Sequence, residues 1–176
     1  MMNEIIKKNG ISYGIITGVV SALITTAIYS IDLNLFVKWW LGIIIFLVYI
    51  TIGIILLSKT KKELKGIFSF KEAFTTYFIS AVIGILISVG FNILLFNVID
   101  PSAKDSINEI VIKYTAETMQ NFGAPSASIA EAVKKMEENN PYSTIELLKS
   151  SIFSMAGSAL FGLLLALIFK SKPTQE

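Results

Sequence analysis

Few residues in this chain could do chemistry. Asn92 is the most polar side chain well inside an apolar run, Asp100 stands at the end of that run, and Ser150, Ser154 and Ser158 enter the last one. An asparagine within a span either lines a path for a polar solute or hydrogen-bonds a neighbouring helix. The second role is favoured, at roughly 0.6 kcal/mol on average and at most about 2. A serine becomes a nucleophile only beside a base, and the chain has no histidine and no cysteine. It therefore lacks the commonest general base and metal ligand and any thiolate site. No acid or lysine lies deep in an apolar run, as proton relays and ion-coupled carriers usually require. There is no glycine-rich phosphate loop and no metal motif. The expectation is a protein that is not an enzyme and holds no cofactor or metal.

The elements that would position these residues are membrane spans. The chain is 53% apolar and 16% charged, against about 25% charged in soluble domains, and its mean hydropathy is +0.68. Four runs carry no charge: Ile11 to Ile31, Trp39 to Leu57, Ala73 to Ile99 and Ser150 to Phe169. About 20 apolar residues of helix cross the hydrocarbon core, where each backbone polar group must be paired within its segment. Buried helices of a soluble bundle would show polar stripes, and these runs do not. The first run is too long for a signal-peptide core and lacks a small-residue cleavage site, so it is expected to be retained. The reading is all-α: one integral membrane domain over 1–176, a bundle of four transmembrane helices at about 11–31, 37–57, 73–99 and 147–169, and a two-helix extracytoplasmic insert at 100–146.

End signals support these boundaries. Only Asp32 to Leu35 separate the first span from the approach to the second, which predicts a tight hairpin; Lys38, Trp39 and Trp40 follow as an interfacial anchor. Ser69 with Glu72 forms a capping box for helix three, and Ser143 with Glu146 repeats it before helix four. Asp100 is placed to cap a helix that has Pro101 at its first position. In the insert, Ile107, Ile110, Val111, Tyr114 and Phe122 share one helical face, ended by Gly123 and Pro125. A second helix is expected from Ser126 or Ser128, the latter boxed with Glu131, and Asn139-Asn140-Pro141 breaks it. The insert holds eight acids and four lysines. Its apolar faces either pack on each other or the membrane surface, or dock a partner.

All 15 basic residues are lysine and the net charge is +2. No clustered basic face suited to nucleic acid is evident. Lys7, Lys8, Lys59, Lys61, Lys62, Lys65, Lys71, Lys170 and Lys172 fall on one side of a four-span chain, and six lysines among many acids fall on the other. The positive-inside rule then puts both termini in the cytoplasm of a plasma (inner) membrane. Tyr29, Trp39, Trp40 and Tyr142 would sit in the outer aromatic belt, and Tyr13 and Tyr77 in the inner one.

Helices in lipid are held together by close packing of small residues. Three spans space such residues by four: Gly10, Gly14, Gly18, Ala22 and Thr26; Ser80, Gly84 and Ser88, followed by Asn92; and Ser150, Ser154, Ser158, Gly162 and Ala166. These faces are expected to pack within the bundle, or else to join copies of the chain in a homo-oligomer.

Phe68-Ser69-Phe70-Lys71-Glu72-Ala73-Phe74, the run Leu95-Phe96-Asn97-Val98-Ile99-Asp100-Pro101 and the helix opening with Gly10 and Gly14 resemble, over roughly the whole chain, a bacterial inner-membrane family known as domain of unknown function 4199. The resemblance implies a four-span membrane protein and no particular activity. Three functions compete. The leading one is a non-enzymatic accessory or scaffold protein in the lipid bilayer, meeting a membrane-protein partner through 100–146. The alternative is a small oligomeric channel or carrier built around Asn92 and the helix-four serines. An intramembrane enzyme ranks last.

Overall fold

The computed structural model describes residues 3–171. Lys172, grouped above with the carboxy-terminal lysines, lies outside them. Among the described residues the chain is all-helical, with six α-helices and no strand. They are α1 (Glu4–Ile31), α2 (Trp39–Glu63), α3 (Phe70–Ile93), α4 (Pro101–Asn121), α5 (Ser126–Glu138) and α6 (Thr144–Phe169). A 3-10 turn, Leu33–Val37, links α1 to α2, and α3 continues as a π-helical segment, Leu94–Ile99. Taking α3 with that segment, four helices of 25 to 30 residues are long and apolar enough to cross a membrane. The insert is the helical pair α4 and α5, which pack against each other.

Local signals explain most helix ends. Ser69 N–H donates to the Glu72 carboxylate at 2.8 Å, and Glu72 N–H donates to Ser69 Oγ at 3.3 Å, so the box at α3 is reciprocal. At α6 it is half-made. Glu146 N–H reaches Ser143 Oγ at 3.4 Å, while the Glu146 carboxylate turns to Lys149 at 2.6 Å. α2 closes in a Schellman turn: Gly66 N–H donates to Lys61 C=O and Lys65 N–H to Lys62 C=O. Lys65 and Gly66 there take φ of 55° and 84°, the left-handed region that disfavours a side chain. α5 begins at Ser126 behind Pro125, so Ser128 lies inside the helix and not at its cap.

The chain divides into two compact units. Among the described residues the first holds 3–21, 44–88 and 151–171. Large apolar side chains such as Ile16, Ile54, Leu164 and Ile168 are exposed on it, whereas Thr60, Thr76, Ser80 and Ser151 are buried. A chain folded in water would do the reverse; facing lipid, small and hydroxylated residues belong between helices. Thr17, Thr60 and Thr76 each donate to the carbonyl four residues back at 2.7 to 2.8 Å, so these hydroxyls are satisfied by their own helices. Leu57, Phe68, Ala73, Leu165 and Ala166 form the apolar core at one end. Ser171 closes that end, with its N–H donating to Phe68 C=O at 2.7 Å and its Oγ accepting from Phe68 N–H at 2.8 Å.

The second unit holds residues 22–43 and 89–150. Its core is Leu95, Phe96, Ala103 and Ile107, with Tyr29, Leu33, Phe36 and Tyr142 packed around it. Phe96 is fully buried and meets Tyr29, Phe36 and Tyr142 edge-on at 6.3, 6.0 and 5.2 Å between ring centroids, the arrangement aromatic quadrupoles prefer. α4 lies on the 3-10 turn and on the π-helical segment. Its buried face is Ala103 and Ile107, with Val111 half-buried, whereas Tyr114 is 41% and Phe122 is 88% exposed. The face read from sequence over five residues is thus covered only in its first half.

Candidate functional site

In the first unit the small-residue positions form a seam between α1 and α3. A Cβ built on Gly10 would stand 2.9 Å from Ile79 Cβ, on Gly14 2.7 Å from Ile83 Cβ, and on Gly18 2.5 Å from Ile87 Cβ. The constant register means the two helices run parallel, each glycine receiving one isoleucine. Gly84 answers from the other side, its position facing Thr17 Cβ at 3.0 Å. Ser21 and Ser88 share a hydrogen bond at 2.7 Å along the same seam. The buried stripe of α1 then runs through Ser21, Thr25 and Ile28, while Ala22 is half-buried and Thr26 exposed. A strict four-residue series turns about 40° per step around a 3.6-residue helix, so its later members leave the contact. The same drift leaves Ser150 and Ser154 of α6 exposed, Ser158 half-buried, and Gly162 and Ala166 buried.

Tyr77 fills a slot that periodicity alone did not reveal. Cβ atoms on Gly53 of α2 and Gly162 of α6 would come within 3.0 and 2.6 Å of its ring. Two glycines therefore make room for one aromatic side chain. Tyr77 had been expected in an interfacial belt. Asn9 was also missed. It is 3% exposed and donates to Thr60 Oγ1 at 3.2 Å and Glu63 Oε2 at 2.7 Å, pinning α1 to α2. An amide one residue before the glycine series is a signal that could have been used.

In the second unit the chemistry converges on Asp100. Its Oδ1 accepts from Ala103 N–H at 3.1 Å and from Ser102 Oγ at 2.6 Å, and its Oδ2 from the Tyr29 phenol at 2.7 Å. These bonds, Ser102 foremost and then Tyr29, hold its carboxyl below the usual carboxylate range. Asp100 caps α4, as expected, and also ties that cap to α1. The π-helical segment delivers it there: Asp100 N–H reaches five residues back to Leu95 C=O at 2.8 Å, and Pro101, with no N–H, stops the winding. Asn97 in that segment donates to Tyr142 C=O at 3.0 Å. Burial pushes the Tyr142 phenol up to about 12. Tyr29 and Tyr142, expected in the outer belt, are packed in this cluster, whereas Trp39 is 72% exposed. Asn140 accepts from Tyr142 N–H at 2.9 Å and donates to the Lys104 carbonyl at 3.5 Å, which fastens the approach to α6 onto α4. Asn92 is half-buried at the start of this unit.

The two clusters can fix helices and fix the insert, and the hydroxyls of Ser102 and Tyr29 that meet the Asp100 carboxylate serve the cap of α4. Among the described residues no group of three or more acids, histidines or cysteines is placed to hold a metal. No curated protein and no solved structure matches the chain. A family described as a protein of unknown function (DUF4199) matches over residues 12–171, which include the α1–α3 seam from Gly14 onward, the Tyr77 slot and the Asp100 cluster. The chain is a member of that family.

Proposed function

We propose that this is a non-enzymatic membrane protein that acts by association, as an accessory or scaffold, with the α4–α5 pair as its recognition element. The observation that carries the reading is the construction of the second unit. The pair is held by backbone caps and an aromatic core, yet it leaves Tyr114 and Phe122 exposed. Its surrounding charge, eight acids to four lysines over 100–146, is opposite to that of the rest of the chain. Long connections in compact domains are usually functional or disordered, and this one is ordered. The lysine distribution supports a plasma-membrane location with both termini cytoplasmic and the insert outside.

The test is site-specific photocrosslinking in native membranes. A benzophenone amino acid at Phe122 or Tyr114 should give one discrete adduct, lost when 103–139 is replaced by a short Gly/Ser linker. Persistence of that adduct from probes at Ile54 or Leu163 in the shortened chain would move recognition into the membrane. A selective ion or solute flux in liposomes at physiological protein density would refute the reading in favour of a channel or carrier.

A further inference from the structure

We propose that the turn between α2 and α3, Lys65 to Lys71, is a seat for an anionic phospholipid: lysines take the headgroup phosphate while Ile67 and Phe70 meet the first part of the acyl chains. Charge is distributed unevenly in this molecule. Within its described residues the first unit has eight lysines and three glutamates. Two of those glutamates are engaged inward, Glu63 by Asn9 and Glu72 by the Ser69 box. Lys61 donates to the Phe169 carbonyl at 3.0 Å, and Lys59 lies over the Tyr13 ring at 5.5 Å. Lys62, Lys65 and Lys71 are exposed and form no ion pair with any described acid. The insert differs, since its acids outnumber its lysines eight to four and Lys134 and Lys135 pair with Glu138 and Glu131, although Lys104 and Lys113 form no ion pair with a described acid. Cations left unpaired at a membrane surface attract anionic headgroups.

The turn also has the shape such a seat needs. Ile67 is 78% exposed and Phe70 36%, between Lys65 and Lys71, while Phe68 points inward and is fully buried. The turn is rigid on both sides: the Schellman closure fixes Lys65 and Gly66, the two backbone bonds to Ser171 fix Phe68, the Ser171 hydroxyl also bonds the Gly66 carbonyl, and the capping box fixes Ser69. An apolar side chain held outward between two cations, at the ends of two spans, matches an amphiphile with a phosphodiester at one end. A free phosphate would have no use for Ile67. The inference holds for either orientation of the chain, so its failure would leave the association reading standing.

The full chain in a neutral detergent is titrated with dioleoylphosphatidylglycerol, with dioleoylphosphatidylcholine and with soluble glycerol phosphate, and thermal unfolding is followed. Phosphatidylglycerol should raise the midpoint by roughly 5 °C or more when it is well above its dissociation constant, and 0.5 M NaCl should shrink the shift. Phosphatidylcholine and glycerol phosphate should not produce it. The triple variant K62Q/K65Q/K71Q, and separately I67S, should lose at least half of the shift while melting normally without lipid. The control K104Q/K113Q/K134Q in the insert should keep it. Equal shifts from both lipids, a full shift from glycerol phosphate, retention of the shift in the triple variant, or an equal loss in the insert control would each overturn the proposal.

Discussion

Replacing Gly18 by alanine isolates the packing of α1 on α3. Two effects oppose each other. Alanine is the better helix former by about 0.8 to 1 kcal/mol at a mid-helix site, which stabilises wherever the new methyl has space. At Gly18 it does not: the Cβ would stand 2.5 Å from Ile87 Cβ and 2.6 Å from its Cγ2. Ordinary carbon contacts lie at about 3.5 to 4.0 Å, so the helices must separate by roughly 1 Å. Ile87 cannot swing aside, because its Cβ is fixed to the α3 backbone. Overpacking of this kind costs about 1 to 3 kcal/mol, so the net loss should be about 0.5 to 2 kcal/mol. Gly157 of α6, with nothing within 4 Å of its Cβ position, is the control; G157A should be neutral or stabilising by up to about 1 kcal/mol. The assay is equilibrium unfolding in mixed dodecyl maltoside and sodium dodecyl sulfate micelles. In the double variant G18A/I87A the Cγ2 and Cδ1 contacts disappear, so its loss should be less than the sum of the singles. If G18A is as stable as G157A, or if the double variant is simply additive, the seam is not close-packed and the reasoning is wrong.

Three further outcomes follow from other sites. G162A should destabilise by a net of up to about 2 kcal/mol in the same assay, because its Cβ would stand 2.6 Å from Tyr77 Cδ1 and the overpacking outweighs the helix-propensity gain, and Y77L should rescue part of that loss. The Asp100 carboxyl is lowered in the folded chain by its Ser102, Tyr29 and Ala103 partners; its contribution is therefore complete above the unfolded value near 3.8 and disappears as pH falls through the lower folded value. The protection of amides at the start of α4, as exchange relative to the intrinsic rate at each pH, should fall below about pH 4 in the wild type and be low at every pH in D100A, and wild-type protection that stays constant through that range would contradict this. Because the chain has no cysteine, K62C and S126C report topology directly. An impermeant maleimide on intact cells should label position 126 and spare 62, and the opposite pattern would reverse the orientation.

The reach of sequence reasoning differed by feature for physical reasons. Spans are legible because hydrocarbon thickness imposes a length that few other constraints mimic. The Ser69 box is legible because both its bonds are local. Its sequence twin at Ser143 is only half-formed because Lys149, one turn on, competes for the Glu146 carboxylate. Small-residue spacing pointed to Gly14, Gly18, Gly84 and Gly162 as packing positions, and each has another helix against its Cβ position. Spacing alone could not say where the series leaves the seam, since that depends on how the helices cross. The partners of the tyrosines were not legible. A tyrosine near the end of a span serves equally well in a headgroup belt and in a slot such as that made by Gly53 and Gly162. The choice at Tyr29, Tyr77 and Tyr142 is made by long-range partners, Asp100 and Phe96 among them.

This construction also determines where variation is tolerated. Lipid tails are as apolar as leucine, so exchanging one exposed aliphatic residue for another, at Ile16, Leu164 or Ile168, changes neither helix contact nor solvation. The contacts that hold the first unit together instead involve glycine, threonine, serine and the single tyrosine ring between two helices, where one added methyl is felt. Neither class distinguishes this protein from another of similar hydropathy to a partner approaching along the membrane. Distinct chemistry is concentrated outside the hydrocarbon: unpaired lysines around a turn in one unit, and an acidic helical pair in the other. On the proposed reading, the first face would meet headgroup charge and the second a protein surface.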